Sequence, residues 1–351
     1  MMFSKLALFA MLAAGAVNAE DFDPSRAASR SRRRALTSRT TTTEIDENSS
    51  SGVLVEEDIY GNMAEAASVD EGDEEVSAFA SATADSPCGP GWKLLWNDEF
   101  KYPGKPDKNA WSYLEGDGSA FGIPGWGNNE LQTYTKSSKN VRVSKGKLNL
   151  IARRDGKKIT SGAVRTYRKV AVAPKKNGAI RVDVTMQLPS KIGLKPFVQM
   201  LPNESPSNVL GAGHYGDWSQ SGAIINAQRT NTEKGFSGGI LYGGVSPNVA
   251  ASTFAVPNMK DSKGTHTFST EWSLSSMKFY QDSKQVFKAK NWYTNDTGNV
   301  PKGAPFDKPF YIMIALATGG DQTGVTPAQV IKTLRKPQTF KIDYLQICEK
   351  V

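Results

Sequence analysis

Histidine and cysteine are the scarcest chemistry-bearing residues of this chain, with two of each in 351 positions. His214 and His266 stand isolated from each other and from any cysteine, so no transition-metal ligand spacing exists. Two cysteines also exclude a small disulfide-dense scaffold. No stretch approaches the roughly 20 apolar residues that a spanning helix needs, so no membrane span is expected. Helical periodicity is nearly absent: "TPAQVIKTLRK", opened by Thr326 and Pro327, predicts one short helix. There is no internal repeat, which excludes solenoids and propellers. One further absence is local. In "GDWSQSGAIINAQRTN", residues 216 to 231, a short apolar strand carries no acidic residue from Ala223 to Gln228.

What is present divides the chain into three. Residues 1–19 combine Lys5, an apolar stretch from Leu6 to Val17 and a small-residue pattern ending at Ala19. That order reads as a secretory signal peptide, so a secreted, extracellular or cell-wall location is expected. Residues 20–87 hold 16 acidic and 6 basic side chains and few aromatics. Such a segment buries too little apolar surface to offset chain entropy and is expected to be disordered. Its basic run, 26–39, carries Arg32, Arg33 and Arg34 together and reads either as a processing site or as an exposed charged stretch. Residues 88–351 hold 36 basic and 19 acidic side chains, a net of +17. A domain of that charge is drawn to polyanions: sulfated or uronic polysaccharide, anionic surfaces or nucleic acid. Export makes nucleic acid the least apt of these. The plainer reading is a solvated lysine-rich surface with no dedicated partner.

In an oxidising compartment Cys88 and Cys348 are expected to pair, two free thiols being the alternative. Between them the texture is that of strands. "AIRVDVTMQLP" alternates, with Ile180, Val182, Val184, Met186 and Leu188 on one face. "KLNLIARR" repeats the pattern, and "MKFYQDSKQVFKA" predicts a hairpin turning at Asp282 and Ser283. "PFYIMIALATGG" suits a strand buried on both faces. Trp92, Trp96, Trp111 and Trp272 are assigned to the core. Together these predict one all-β antiparallel sandwich, expected to be a monomer.

Nine segments, in order, resemble glycoside hydrolase family 16, the β-glucanase group that includes laminarinases and non-catalytic β-1,3-glucan recognition proteins. They are "LLWNDEF", "WGNNELQTYT", "NVRVSKGKLNLIA", "GLKPFVQMLP", "YGDWSQSGAIINAQ", "GGILYGG", "THTFSTEW", "APFDKPFYIMIALATGG" and "PQTFKIDYLQI". The resemblance covers nearly all of 88–351 and implies a β-jelly roll sandwich of two curved sheets, with a cleft across the concave face. Its catalytic strand carries Glu, Asp and Glu at i, i+2 and i+5, a bulge turning the last one toward the cleft. A retaining glycosidase needs a nucleophile and an acid/base carboxyl about 5–5.5 Å apart. Here those positions are Ala223, Ile225 and Gln228, none of which can attack a sugar or transfer a proton at neutral pH. Asp217, Glu204, Asp183 and Glu130 are the other acidic candidates, and none forms an i, i+2, i+5 set.

The resemblance also implies cleft positions that have changed. Lys195 and Gln199 stand where the family usually has tryptophan, Ala163 where it tends to have a substrate-facing arginine, Leu241 in place of histidine and Ala315 in place of asparagine. Arg165 is positioned to compensate for Ala163. The candidate sugar-binding set is Trp126, Asn128, Asn129, Glu130, Gln132, Arg165, Trp218 and Gln228, since an aromatic face takes the apolar face of a sugar and amides take its hydroxyls. The alternative is that the 126–132 loop merely packs against the sheet. No cofactor is implied; calcium occurs in some relatives, and nothing here singles out its ligands. Asn48, Asn203 and Asn295 open glycosylation sequons. The expected function is a secreted, catalytically inactive, polysaccharide-binding protein, its partner a β-glucan or an anionic wall polysaccharide. The alternatives are an active endo-β-1,3(4)-glucanase with an altered constellation and a basic structural or matrix protein.

Overall fold

The computed structural model describes residues 87–204, 210–245, 248–296 and 298–351. The signal-peptide reading, the 20–87 segment up to residue 86 and Asn48 lie outside the described residues. Two sheets, almost entirely antiparallel, carry the rest. The first has ten strands, running from Lys284–Ala289 through Met277–Gln281, His266–Trp272, Ile180–Gln187, Gln338–Lys350, Leu148–Asp155 and Lys158–Ser161 to Gln132–Tyr134. Trp92–Asp98 pairs along Gln338–Lys350, and Val141–Val143 along Leu148–Asp155. The second has eight, from Val249–Val256 through Phe236–Gly243, Ala223–Gln228, Leu194–Pro202, Phe310–Thr318 and Ala163–Arg165 to Ser112–Tyr113, with Ala171–Val172 beside Phe310–Thr318. This is the all-β sandwich that the alternation predicted, in the jelly-roll form that the resemblance implied.

The alternation explains the packing. Ile180, Val182, Val184 and Met186 are all 2% exposed or less and face the inter-sheet core. Phe310–Thr318 is buried along its whole length, as its unbroken apolar run required. Asp282 and Ser283 turn the hairpin with φ of 48° and 66°, the left-handed pair of a two-residue turn that matches strand twist. The one described α-helix is Pro327–Thr333, its N-terminus closed by a capping box in which Thr326 and Gln329 exchange hydrogen bonds. Trp111 and Trp272 are core residues, and Trp96 packs against the core from its edge. Trp92 departs from its assignment: it lies outside the core, with the Arg181 guanidinium 4.7 Å from its ring centroid. Cation–π contact keeps an indole at a sheet surface where alternation alone would bury it.

Two fixtures close the sandwich. Cys88 and Cys348 are disulfide-bonded across a sequence separation of 260, tying the chain ahead of Trp92–Asp98 to the last strand. Arg229, fully buried, donates from Nε to the Gly235 carbonyl at 2.8 Å and from Nη1 to Leu188 and Ser262 carbonyls at 2.7 Å each. Burial lowers its pKa, and the three carbonyls supply the acceptors that water would otherwise give.

Candidate functional site: a cleft on the eight-stranded sheet

The outer face of the eight-stranded sheet carries a cavity of about 810 Å³. Antiparallel partners share a face, so the register maps its floor. One row runs Arg165, Met313, Gln199, Ile225, Gly239 across five strands. The next runs Ala163, Ala315, Phe197, Gln228, Ser237. Ala223 pairs with Leu241.

The Ala223–Gln228 strand breaks its alternation once. Val198 opposes Ala227 and Gln199 opposes Ile225, leaving Asn226 as the extra residue of a bulge. Ile224 and Ala227 enter the core, while Asn226 turns inward and donates to Thr270 Oγ1 at 2.9 Å. Ala223, Ile225 and Gln228 consequently all line the cleft. This strand therefore presents a methyl group, a branched alkyl chain and an amide, with no carboxylate. Phe197, Leu201, Leu241 and Met313 extend the apolar floor.

Three carboxylates line the cleft elsewhere: Glu130, Asp217 and Glu233. Asp217 and Glu233 are exposed residues at its margin. Glu130 is held fast. Its side chain is 4% exposed; Oε1 accepts from Lys195 Nζ at 2.7 Å and Asn128 Nδ2 at 3.1 Å, and Oε2 from Gln132 Nε2 at 2.7 Å. Lys195 also donates to Gln322 Oε1 at 3.1 Å. These three partners, one of them a cation, engage both carboxylate oxygens and tie Glu130 into the loop and the strand that carries Lys195. Asp183 belongs to the other sheet, bound by Arg181 and Gln346. Glu204 is exposed beside His214.

The structure sorts the predicted sugar-binding residues into two groups. Trp126, Asn128, Glu130, Trp218 and Gln228 line the cleft. Trp126 stacks obliquely between Phe121 and Tyr134, with centroids 5.7 and 5.1 Å away, and its buried Nε1 has no partner. Trp218 covers Gly211, where an added Cβ would fall 2.6 Å from the indole. Gln228 donates to Ser237 Oγ at 3.3 Å. Asn129 and Gln132 are not among the lining residues. Asn129 binds Asp321, while Gln132, 1% exposed, accepts from the Thr318 amide and hydroxyl and so pins the loop to the sheet. Arg165 lies beyond the cavity, half-buried against Phe121 and Tyr167. Burial, partly offset by Arg165, pushes the Tyr311 phenol up to about 12.

Sequence reasoning missed the Lys195–Glu130–Gln322 cluster. Its signal was a lysine inside "GLKPFVQMLP", a strand with one non-buried position, because a lysine so placed requires a buried partner. Asn203 accepts from the Arg168 amide at 2.8 Å, and Asn295 is exposed. Among the described residues no cluster of His, Cys, Asp and Glu could hold a metal ion, and no helix is long and apolar enough to cross a membrane.

No family model matches the chain. It is 33% identical over 287 residues to glucan endo-1,3-beta-glucosidase A1 of Niallia circulans, an alignment covering 76% of this chain and 39% of that protein. It is 28% identical over 273 residues to a beta-glucanase of Rhodothermus marinus, covering 74% of this chain and 85% of that one. Among solved structures, LamA of Z. galactanivorans in complex with laminaritriose and laminaritetraose superposes with a TM-score of 0.58 at 27% identity, covering 73% of this chain and 98% of its own.

Proposed function

With glycoside hydrolase family 16 as the family that these relatives support, we propose that the chain is a catalytically silent member that binds a β-1,3-glucan-type polysaccharide in its cleft. One observation carries this reading: Ala223, Ile225 and Gln228, set by the bulge to face the cleft, bring no carboxylate to it. Proton transfer by a positioned acid/base contributes about 10²–10⁴ in rate, and the covalent route needs a nucleophilic oxygen as well. Neither is available from this strand. The binding half rests on Trp126 and Trp218, two indole rings on the cleft wall, and on the amides of Gln199, Gln228 and Gln322, which also line it. The rings suit apolar sugar faces, and the amides suit hydroxyls. Under this reading the protein is secreted, acts as a monomer and serves as a receptor or scaffold on the polymer.

Affinity electrophoresis in laminarin gels tests it. Trp126→Ala and Trp218→Ala are each expected to weaken retention about tenfold, the loss of an aromatic contact worth some 1–2 kcal/mol. Retention through the cleft persists at high salt. Binding through the +17 surface instead fades there, because the Debye length is already about 8 Å at physiological strength. Salt-sensitive retention that ignores both tryptophans selects the matrix-protein reading.

A further inference from the structure

Arg165 is a half-buried guanidinium without a counter-ion. It ends the short strand Ala163–Arg165 and pairs in register with Met313, so its side chain shares the cleft's face of the sheet. Its Cζ lies 5.5 Å from the Phe121 ring centroid and 4.8 Å from that of Tyr167. Arg168 approaches the same Tyr167 ring at 5.1 Å. Among the described residues neither arginine makes an ion pair, although ten such pairs occur elsewhere. Arg165 Nε and the Tyr167 hydroxyl are both buried without a hydrogen-bond partner. Buried polar atoms are ordinarily satisfied, so these two stand out. Two orphaned polar atoms beside an uncompensated positive charge form the complement of an anion. Phe121 touches Trp126, which joins this corner to the cleft wall.

We propose that Arg165, with Tyr167 beside it, is an anion subsite at one end of the cleft that takes a sulfate or carboxylate substituent of the bound polysaccharide. This rests on the cleft being a saccharide site and names the class of saccharide it prefers. Along the row Arg165, Met313, Gln199, Ile225, three strand spacings of about 4.8 Å place Arg165 roughly 14 Å from Ile225. A chain lying across the strands therefore meets Ile225 at mid-cleft and Arg165 further along. The guanidinium fork suits the paired oxygens of either anion, and its flat faces are already held by rings.

The test compares wild type, Arg165→Met, Arg165→Lys and Lys288→Gln by calorimetric titration with laminarin, sulfated laminarin and a β-linked oligouronate. Lys288 is exposed on the other sheet from Arg165, so Lys288→Gln removes one charge without touching the proposed subsite. Wild type is expected to bind at least one anionic glycan about tenfold or more tightly than laminarin, the yield of one or two charge-assisted hydrogen bonds. Arg165→Met abolishes that preference, Arg165→Lys keeps part of it, and Lys288→Gln keeps all of it. Whether sulfate or carboxylate is preferred identifies the substituent. A wild-type ratio near one, or a preference unchanged in Arg165→Met, overturns the subsite. Arg165-dependent binding of an anionic glycan without any laminarin binding supports the subsite and removes neutral glucan as the ligand.

Discussion

Lys195→Met is expected to lower the stability of the folded protein by about 3–5 kcal/mol, the cost of leaving a buried carboxylate without its counter-ion. The two side chains are 9% and 4% exposed, so water cannot replace the lost ammonium. Asn128 and Gln132 would still donate to Glu130, but two neutral amides do not neutralise a charge. Because Asn128 and Gln132 also bind the Gln322 amide and Thr318, the disturbance spreads into the segment carrying Trp126. The double variant Lys195→Met/Glu130→Gln should recover most of the loss, since replacing a buried pair as a whole is often close to neutral. Urea denaturation of the three proteins measures this. A single-variant loss below about 1 kcal/mol would mean that water reaches Glu130 and that the cleft wall is softer than described.

Eliminating the disulfide is the second large effect. Replacing Cys88 and Cys348 together by Ala is expected to cost about 5 kcal/mol in the chain-entropy model, near the upper end for any disulfide. The bond spans a sequence separation of 260, and loop-closure entropy grows with the logarithm of that length. Both sulfur-bearing residues are buried, at 4% and 0% exposure, so the variant also leaves a small void. Thermal and urea unfolding of oxidised wild type, reduced wild type and the double variant separate these two contributions. Equal stability in all three would show that pairing between Trp92–Asp98 and Gln338–Lys350 already holds the termini of the domain together.

The parts of the molecule governed by neighbours in sequence were legible in the sequence. Period-two alternation located Ile180–Gln187, the Asp282–Ser283 turn carried its own backbone preference, and the Thr326 cap identified the helix. The outward set Ala223, Ile225, Gln228 was legible only through the resemblance, which implied the bulge; alternation alone turns Gln228 to the opposite face. Contacts between distant residues were not legible. Glu130 and Lys195 meet only when Gln132–Tyr134 and Leu194–Pro202 are brought together by Phe310–Thr318, and no local pattern encodes that meeting. Arg229 is buried completely by three carbonyls that converge from separate parts of the chain, a meeting its neighbours in sequence do not encode. The 126–132 segment illustrates the mixed case. The fold draws its polar residues apart: Asn129 and Gln132 spend their amides on Asp321 and Thr318, while Trp126, Asn128 and Glu130 line the cleft.

Silence of the cleft is tested most directly by incubating purified protein with laminarin and assaying new reducing ends, alongside retention of the protein on the same polymer. The account predicts retention with reducing ends no higher than in the protein-free control. Release that rises in proportion to protein concentration would contradict it, because a working acid and nucleophile would then exist in a cleft whose floor holds Ala223, Ile225 and Gln228.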